Sequence, residues 1–275
     1  MSKKIIFDTQ KTKNFIYLKN GLSKTPFVFL HGFTGTHNSW NEVIERLEGP
    51  TITLDLPGHG KSTFKDLETR YSIDDWCVEF NELLDYLNVD TINLCGYSMG
   101  GRLAMAFSSA FPKRLHKLYL ESSSYGEKNN LKREQRYKDD MDMSKKITNN
   151  YSDFIVKWSK NPLFVKQKDR NIKAYLSQKE DRLSHDPTQL SKSLSSFSTG
   201  LMQFYLDDIH KISSNVTILN GAEDKKFVKM GLEMSALNKN IKHCIVPNCG
   251  HNIHIENLDY FIDVLTSKEK NDNYR

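Results

Sequence analysis

The sequence has 275 residues, of which 38% are hydrophobic and 27% charged, with a formal net charge of +5. That length accommodates a single α/β core with an insertion, and so mild a charge, with no accompanying binding motif, gives no ground for a nucleic-acid partner. The mean hydropathy is −0.59, no apolar run is long enough to span a bilayer, and the opening MSKKIIFDTQ lacks the apolar stretch of a secretory leader, so a cytoplasmic protein without membrane insertion is expected.

In chain order, strand-like runs at 14–19 and 27–30 are joined through Asn20-Gly21, a strong turn signal. The pattern predicts helices over 39–47 and 73–87, with strands at 51–54, 91–95 and 117–120. Strands alternating with helices imply a mostly parallel sheet covered on both faces. After Glu121 the alternation stops. Residues 124–210 are polar and charged, broken by Pro162, Pro187 and Gly200, with Phe154, Ile155, Trp158, Leu163 and Phe164 at roughly helical spacing. This segment is expected to be an inserted helical lid, with 1–123 and 211–275 forming the core. The alternation resumes with a strand at 216–219, a helix near 227–237, a strand at 242–246 and a last helix from about 255 to 266, followed by a tail, KEKNDNYR, expected to fray.

The strongest local signal is Gly96-Tyr97-Ser98-Met99-Gly100, a G-x-S-x-G between the strand-like TINLC and the helix-like GRLAMAFSSA. A strand turning sharply into a helix strains the central residue, needs small neighbours, and presents the hydroxyl above the sheet at a helix N-terminus. This is the nucleophile elbow of the α/β-hydrolase fold, a mostly parallel central sheet flanked by helices. A serine hydroxyl needs a general base, and that base an orienting acid. In this fold the chain order is serine, acid, histidine, which selects Asp224 in GAED and His251 in NCGH, each just after a predicted strand. His254, Glu223 and Glu121 are the rival base and acids. The loop LHGFTG after the strand at 27–30 is expected to supply one backbone oxyanion donor at Phe33, with Met99 supplying the other, while His31 and the turn DLPGHGKS read as structural. Cys77, Cys95, Cys244 and Cys249 form no CxxC pair and read as reduced thiols. His243, Cys244 and Cys249 lack a fourth zinc ligand, so no metal is expected.

A finer resemblance lies in HGFTGTHNSW (31–40), DLPGHGKS (55–62), GYSMGGR (96–102), NNLKREQRYKDD (129–140), FIVKWSKNPLF (154–164), RLSHDP (182–187), LSKSLSSFSTG (190–200), GAEDKKF (221–227) and GHNIHIEN (250–257). These blocks resemble the 2-succinyl-6-hydroxy-2,4-cyclohexadiene-1-carboxylate synthase family of menaquinone (vitamin K2) biosynthesis, over most of the chain and including the lid. The resemblance implies a lyase that eliminates pyruvate from an enolpyruvyl cyclohexene tricarboxylate by proton abstraction, without a cofactor. The negative charge growing on the substrate ketone suits two backbone donors, and Ser98 relayed through His251 suits the base. Three carboxylates call for fixed cations. Arg102, one helical turn after Ser98, can line the same site, and the resemblance adds Arg136 and Arg182 of the lid, with Tyr97 and Trp158 lining the pocket. The sequence departs from the family at Met202 and Phe204, where a Pro-containing stretch is expected, and at Leu258, where a proline would follow Glu256-Asn257. The other reading of the same triad is a serine carboxylesterase or C–C bond hydrolase. A monomer or weak homodimer acting on a small molecule is expected in either case.

Overall fold

The computed structural model describes residues 2–164, 166–212 and 214–267; the tail expected to fray lies outside them. The described strands are β1 (Ser2–Asp8), β2 (Thr12–Lys19), β3 (Phe27–Leu30), β4 (Thr51–Leu54), β5 (Thr63–Phe64), β6 (Ile92–Tyr97), β7 (Leu115–Glu121), β8 (Asn215–Gly221) and β9 (Ile241–Val246). They form one sheet in the order β1-β2-β4-β3-β6-β7-β8-β9, with β5 against β2. Pairing is antiparallel where β2 meets β1, β4 and β5, and parallel from β4 through to β9.

The central parallel strands β3, β4 and β6 are buried on both faces, so alternate residues of the sheet feed two different cores. Val28, Leu30, Leu94, Leu118, Leu120 and Ile218 pack with one set of helices, which includes α2 (Ile73–Tyr86), α3 (Met99–Ala110) and α9 (Lys225–Leu237). Phe29, Cys95, Tyr119 and Leu219 point the other way, against α1 (Asn41–Arg46) and α11 (Leu258–Thr266). Helix α2 starts where Ser72 and Asp75 form a reciprocal capping box, an arrangement that contributes about 1 kcal/mol.

Between β7 and β8 lie the lid helices α4 (Asn130–Asn149), α5 (Tyr151–Ser159), α6 (Gln167–Arg170), α7 (Ile172–Ser184) and α8 (Pro187–Ser196). Their own small core is Ile147, Phe154, Ile155, Leu190 and Leu194, and it packs on Phe33 of the main domain.

Three expectations need correction. Strand β1 was not expected, because its exposed Lys3 and Lys4 blur the alternation of an antiparallel outer strand. Asn20 does turn the chain, with φ 66°, but β2 and β3 are not partners, because β4 lies between them. The last helix is not continuous from 255: α10 (Ile253–Glu256) ends at Asn257, whose φ of −148° breaks the helix and whose side chain caps the start of α11.

Candidate active site

The end of β6 delivers Ser98 into a conformation few non-glycine residues adopt, φ 52° and ψ −104°. Such strain persists only where the surroundings fix it. Here the Ser98 N–H donates to the Glu121 carbonyl at 2.9 Å, and α3 is drawn close against β3. A methyl group on Gly100 would lie 2.3 Å from the Leu30 carbonyl oxygen, so the elbow and the neighbouring loop meet through bare backbone.

The loops after β8 and β9 bring up the other two groups. The His251 Nε2 lies 3.0 Å from Ser98 Oγ, and its Nδ1 lies 2.5 Å from Asp224 Oδ2. Asp224 opens α9 without capping it, which leaves its carboxylate for the imidazole. Both side chains are buried. The rival groups are engaged elsewhere. His254 Nδ1 meets Glu121 at 2.7 Å and its ring stacks on Trp40. Glu223 pairs with Lys166 and Arg170 of the lid.

Phe33 follows Gly32, where a methyl group would lie 3.6 Å from Ser98 Cβ, and Met99 opens α3 directly after Ser98; no described hydrogen bond uses either backbone N–H. The β3 loop is held by three buried histidines from three segments. His31 donates through Nδ1 to the Gly32 carbonyl and accepts the Leu56 N–H at Nε2. His59 Nε2 accepts the Thr34 N–H. His185, from the end of α7, donates to the Thr34 carbonyl and accepts the Gly60 N–H. Burial pushes the His31 imidazole down to about 4 and lowers His59 and His185 as well, so all three work as neutral hydrogen-bonding groups. Asp55, fully buried, accepts from His37 and from the Lys61 N–H; burial pushes its carboxyl up, but these bonds outweigh it and hold the pKa below the usual value. His31 and the DLPGHGKS turn are therefore scaffold, as their residues suggested.

The cations fall in two groups. Arg182 of α7 is 4% exposed, donates to Gln178 at 3.2 Å, and lies over the Phe164 ring. Its Nη1 has no partner and it bonds no carboxylate among the described residues. It lines a cavity of about 20 Å³ with Phe33, Tyr97, Gln178 and Asn252, whose Oδ1 is also unpartnered. Burial lowers the Arg182 pKa. Asp181 seats this helix by accepting from Thr36 and Asn38. On the other side, Arg102 donates to the Phe197 carbonyl at 2.5 Å, and burial, then the neighbouring Arg136, pulls its guanidinium down to about 10. Arg136 is more exposed and chelates Asp140 through Nε.

The Trp158 indole donates to Thr34 Oγ1 at 3.0 Å and stands edge-on to Phe33, so it braces the β3 loop from the lid. The Tyr97 ring wedges between His251 and His254. Sequence reasoning passed over Arg170, Asn252, Gln178 and His185 as site residues. His185 stood inside the RLSHDP block, but nothing local marked its partners, which lie more than a hundred residues away. Among the described residues no group of three or more His, Cys, Asp or Glu side chains is placed to hold a metal, and all four cysteines are free thiols.

Residues 25–258 match the family model of the alpha/beta hydrolase fold. A Bacillus subtilis (strain 168) protein, provisionally named 2-succinyl-6-hydroxy-2,4-cyclohexadiene-1-carboxylate synthase, is 31% identical over 241 residues, covering 87% of this chain and 88% of its own. The structure of MenH from S. aureus superimposes with a TM-score of 0.84 at 29% identity, covering 94% of this chain and 97% of the other. A carboxylesterase from an ammonia-oxidizing Thaumarchaeon reaches a TM-score of 0.80 over 96% of each chain at only 14% identity, a likeness of fold alone. The chain thus belongs to the alpha/beta hydrolase fold family and, within it, to the 2-succinyl-6-hydroxy-2,4-cyclohexadiene-1-carboxylate synthases.

Proposed function

We propose that this protein eliminates pyruvate from 2-succinyl-5-enolpyruvyl-6-hydroxy-3-cyclohexene-1-carboxylate, giving 2-succinyl-6-hydroxy-2,4-cyclohexadiene-1-carboxylate for menaquinone biosynthesis. The observation that carries this reading is Arg182, a buried guanidinium with an unpartnered N–H and no described carboxylate bond, facing a cavity beside Tyr97. A buried cation left without an anion is costly, so the site calls for an anionic ligand. A neutral ester does not answer that call; a carboxylate does. Arg102 supplies further positive charge one helical turn from Ser98, and each charge-assisted bond to a carboxylate contributes roughly 1.5–3 kcal/mol.

In this reading His251, oriented by Asp224, draws the Ser98 proton, and the Ser98 oxygen removes the ring proton next to the succinyl ketone. The Phe33 and Met99 N–H groups hold the charge that builds on the ketone oxygen. The electron pair moves through the ring double bond and breaks the C–O bond to the enolpyruvyl group. The departing enolate takes a proton and becomes pyruvate. No bond forms to Ser98, so the fold's hydrolytic triad serves as a relay base, and no cofactor enters. The four buried thiols suit a reducing compartment such as the cytoplasm.

The test is pyruvate release, followed by a coupled lactate dehydrogenase assay, on the enolpyruvyl substrate and on simple carboxylic esters. Pyruvate release at a rate far above ester cleavage is expected. Rapid ester cleavage with no pyruvate would make the protein a carboxylesterase instead.

A further inference from the structure

We infer that Arg170, on the lid, is a positioning residue for the triad: its guanidinium cross-links the loop that carries Asp224 to the loop that carries His251. The inference rests on the relay-base reading of Ser98, His251 and Asp224.

The two loops already touch through backbone. The Glu223 N–H donates to the Cys249 carbonyl at 3.0 Å. A methyl group on Gly221 would fall 2.0 Å from the Gly250 carbonyl oxygen. The fork of Arg170 adds a side-chain link between the same two segments beyond the last paired residues of β8 and β9. One terminal nitrogen bonds Glu256 and the other bonds Glu223 at 2.7 Å. Glu223 is the residue before Asp224. Glu256 is buried, and the same oxygen that meets Arg170 accepts the N–H of Gly250 at 2.7 Å, the residue before His251. Arg170 therefore grips one loop directly, one residue from Asp224, and the other through the Glu256 carboxylate, which holds the residue before His251.

Its neighbours fix it in place. Asn171 donates to the Ile255 carbonyl and to Glu42, and Lys166 adds a second cation to Glu223 at 3.0 Å. The planar fork with fixed N–H directions is what lets one side chain hold two carboxylates at a set separation; a lysine ammonium reaches one at a time. The Asp224–His251 bond of 2.5 Å spans the same two loops, so a shift of one loop against the other lengthens it directly.

Loss of the fork acts on turnover rather than on substrate binding, because Arg170 is absent from the cavity that Arg182 and Tyr97 line. Misalignment of reacting groups by about 1 Å costs up to about 100-fold in rate. The experiment compares pyruvate release by the full-length parent, Arg170→Met, Arg170→Lys, Glu223→Gln and the double variant Arg170→Met/Glu223→Gln, with proton NMR of the downfield Nδ1 proton of His251. Arg46→Met, which removes an exposed pair with Asp259, is the control expected to match the parent.

For Arg170→Met, kcat is expected to fall about 10- to 100-fold, with KM changed less than about threefold, and the downfield resonance to broaden or vanish. Arg170→Lys should recover only part of the loss. Glu223→Gln should lower kcat by at least about threefold, and the double variant should be no slower than Arg170→Met, as expected for groups sharing one interaction. A parent-like kcat in Arg170→Met, or a loss confined to KM with the resonance intact, overturns the inference. If Arg170→Met does not fold, Glu223→Gln decides, because its carboxylate is one-third exposed and its loss strands no buried charge; a parent-like kcat there overturns the inference too. A parent that releases no pyruvate defeats the proposed function, while the NMR comparison of parent and variants still reports on the cross-link.

Discussion

Ser98 and Arg182 are the two residues on which the proposed reaction turns, and they are expected to respond differently to replacement. Ser98→Ala removes the relay oxygen but leaves the elbow's backbone bond to Glu121 in place, so turnover is expected to fall at least about 10³-fold with the melting temperature unchanged, measured by steady-state pyruvate release beside differential scanning fluorimetry. Arg182→Met removes a buried cation that bonds only an amide. Its kcat/KM is expected to fall about 10- to 150-fold, the equivalent of one charge-assisted bond, without any drop in melting temperature, since an apolar side chain of similar reach suits the Phe164 ring beside it. A lower melting temperature with intact kinetics would assign Arg182 to lid packing. The elbow, the acid and the histidine were legible in the sequence because each lies in a short motif at the end of a predicted strand. Arg170 was not, because its partners lie 53 and 86 residues away and no local pattern marks a cross-link formed by tertiary contact. The pairing of Arg136 with Asp140 was hidden for a different reason: in a helix as charged as α4, spacing allows several partners and only packing chooses one.

Elements with a strong period were read within a few residues. β4 falls where its run of Thr51–Leu54 places it, and α2 ends one residue short of the expected boundary. The β1 strand was lost because an outer antiparallel strand with one solvated face gives a weak pattern, and the position of β4 between β2 and β3 is a property of the sheet that no single turn announces. Two further outcomes belong at this scale. Gly100→Ala places a methyl group against the Leu30 carbonyl, so α3 must move off β3; both activity and thermal stability are expected to drop, read by the pyruvate assay and thermal unfolding. The second concerns the histidines that tie the β3 loop to the 55–62 turn and to the lid. Their folded pKa values lie below the unfolded value near 6.5, His31 at about 4. The unfolded chain therefore binds more protons between those limits, and the stability present above about pH 6.5 is lost as pH falls through about 4. Melting temperature measured from pH 7 to pH 4 should decline across that window, and His31→Asn should flatten the decline.

At the scale of the whole molecule, a mostly parallel sheet gathers four loops at the carboxyl ends of β3, β6, β8 and β9, and the lid closes over them with its own small core. Open α/β sheets place their sites at this edge, and the lid contributes what the core lacks: Arg182 as a buried guanidinium, Trp158 as a brace on the β3 loop, Arg170 as a link between the triad loops. The fold alone is shared with esterases, so reaction type resides in these additions. With a net charge of +5 on the chain, kcat/KM for a trianionic substrate should fall as salt is raised from 50 to about 500 mM, since screening shortens the reach of the field; a neutral ester should show no such slope. The sharpest discrimination between relay base and nucleophile comes from rapid-quench intact mass spectrometry during turnover of the enolpyruvyl substrate. Pyruvate should accumulate while the protein mass stays that of the unmodified chain at every time point. A covalent adduct on Ser98 that forms and decays at the rate of turnover would mean that the serine attacks carbon, and that the proton-relay mechanism is wrong.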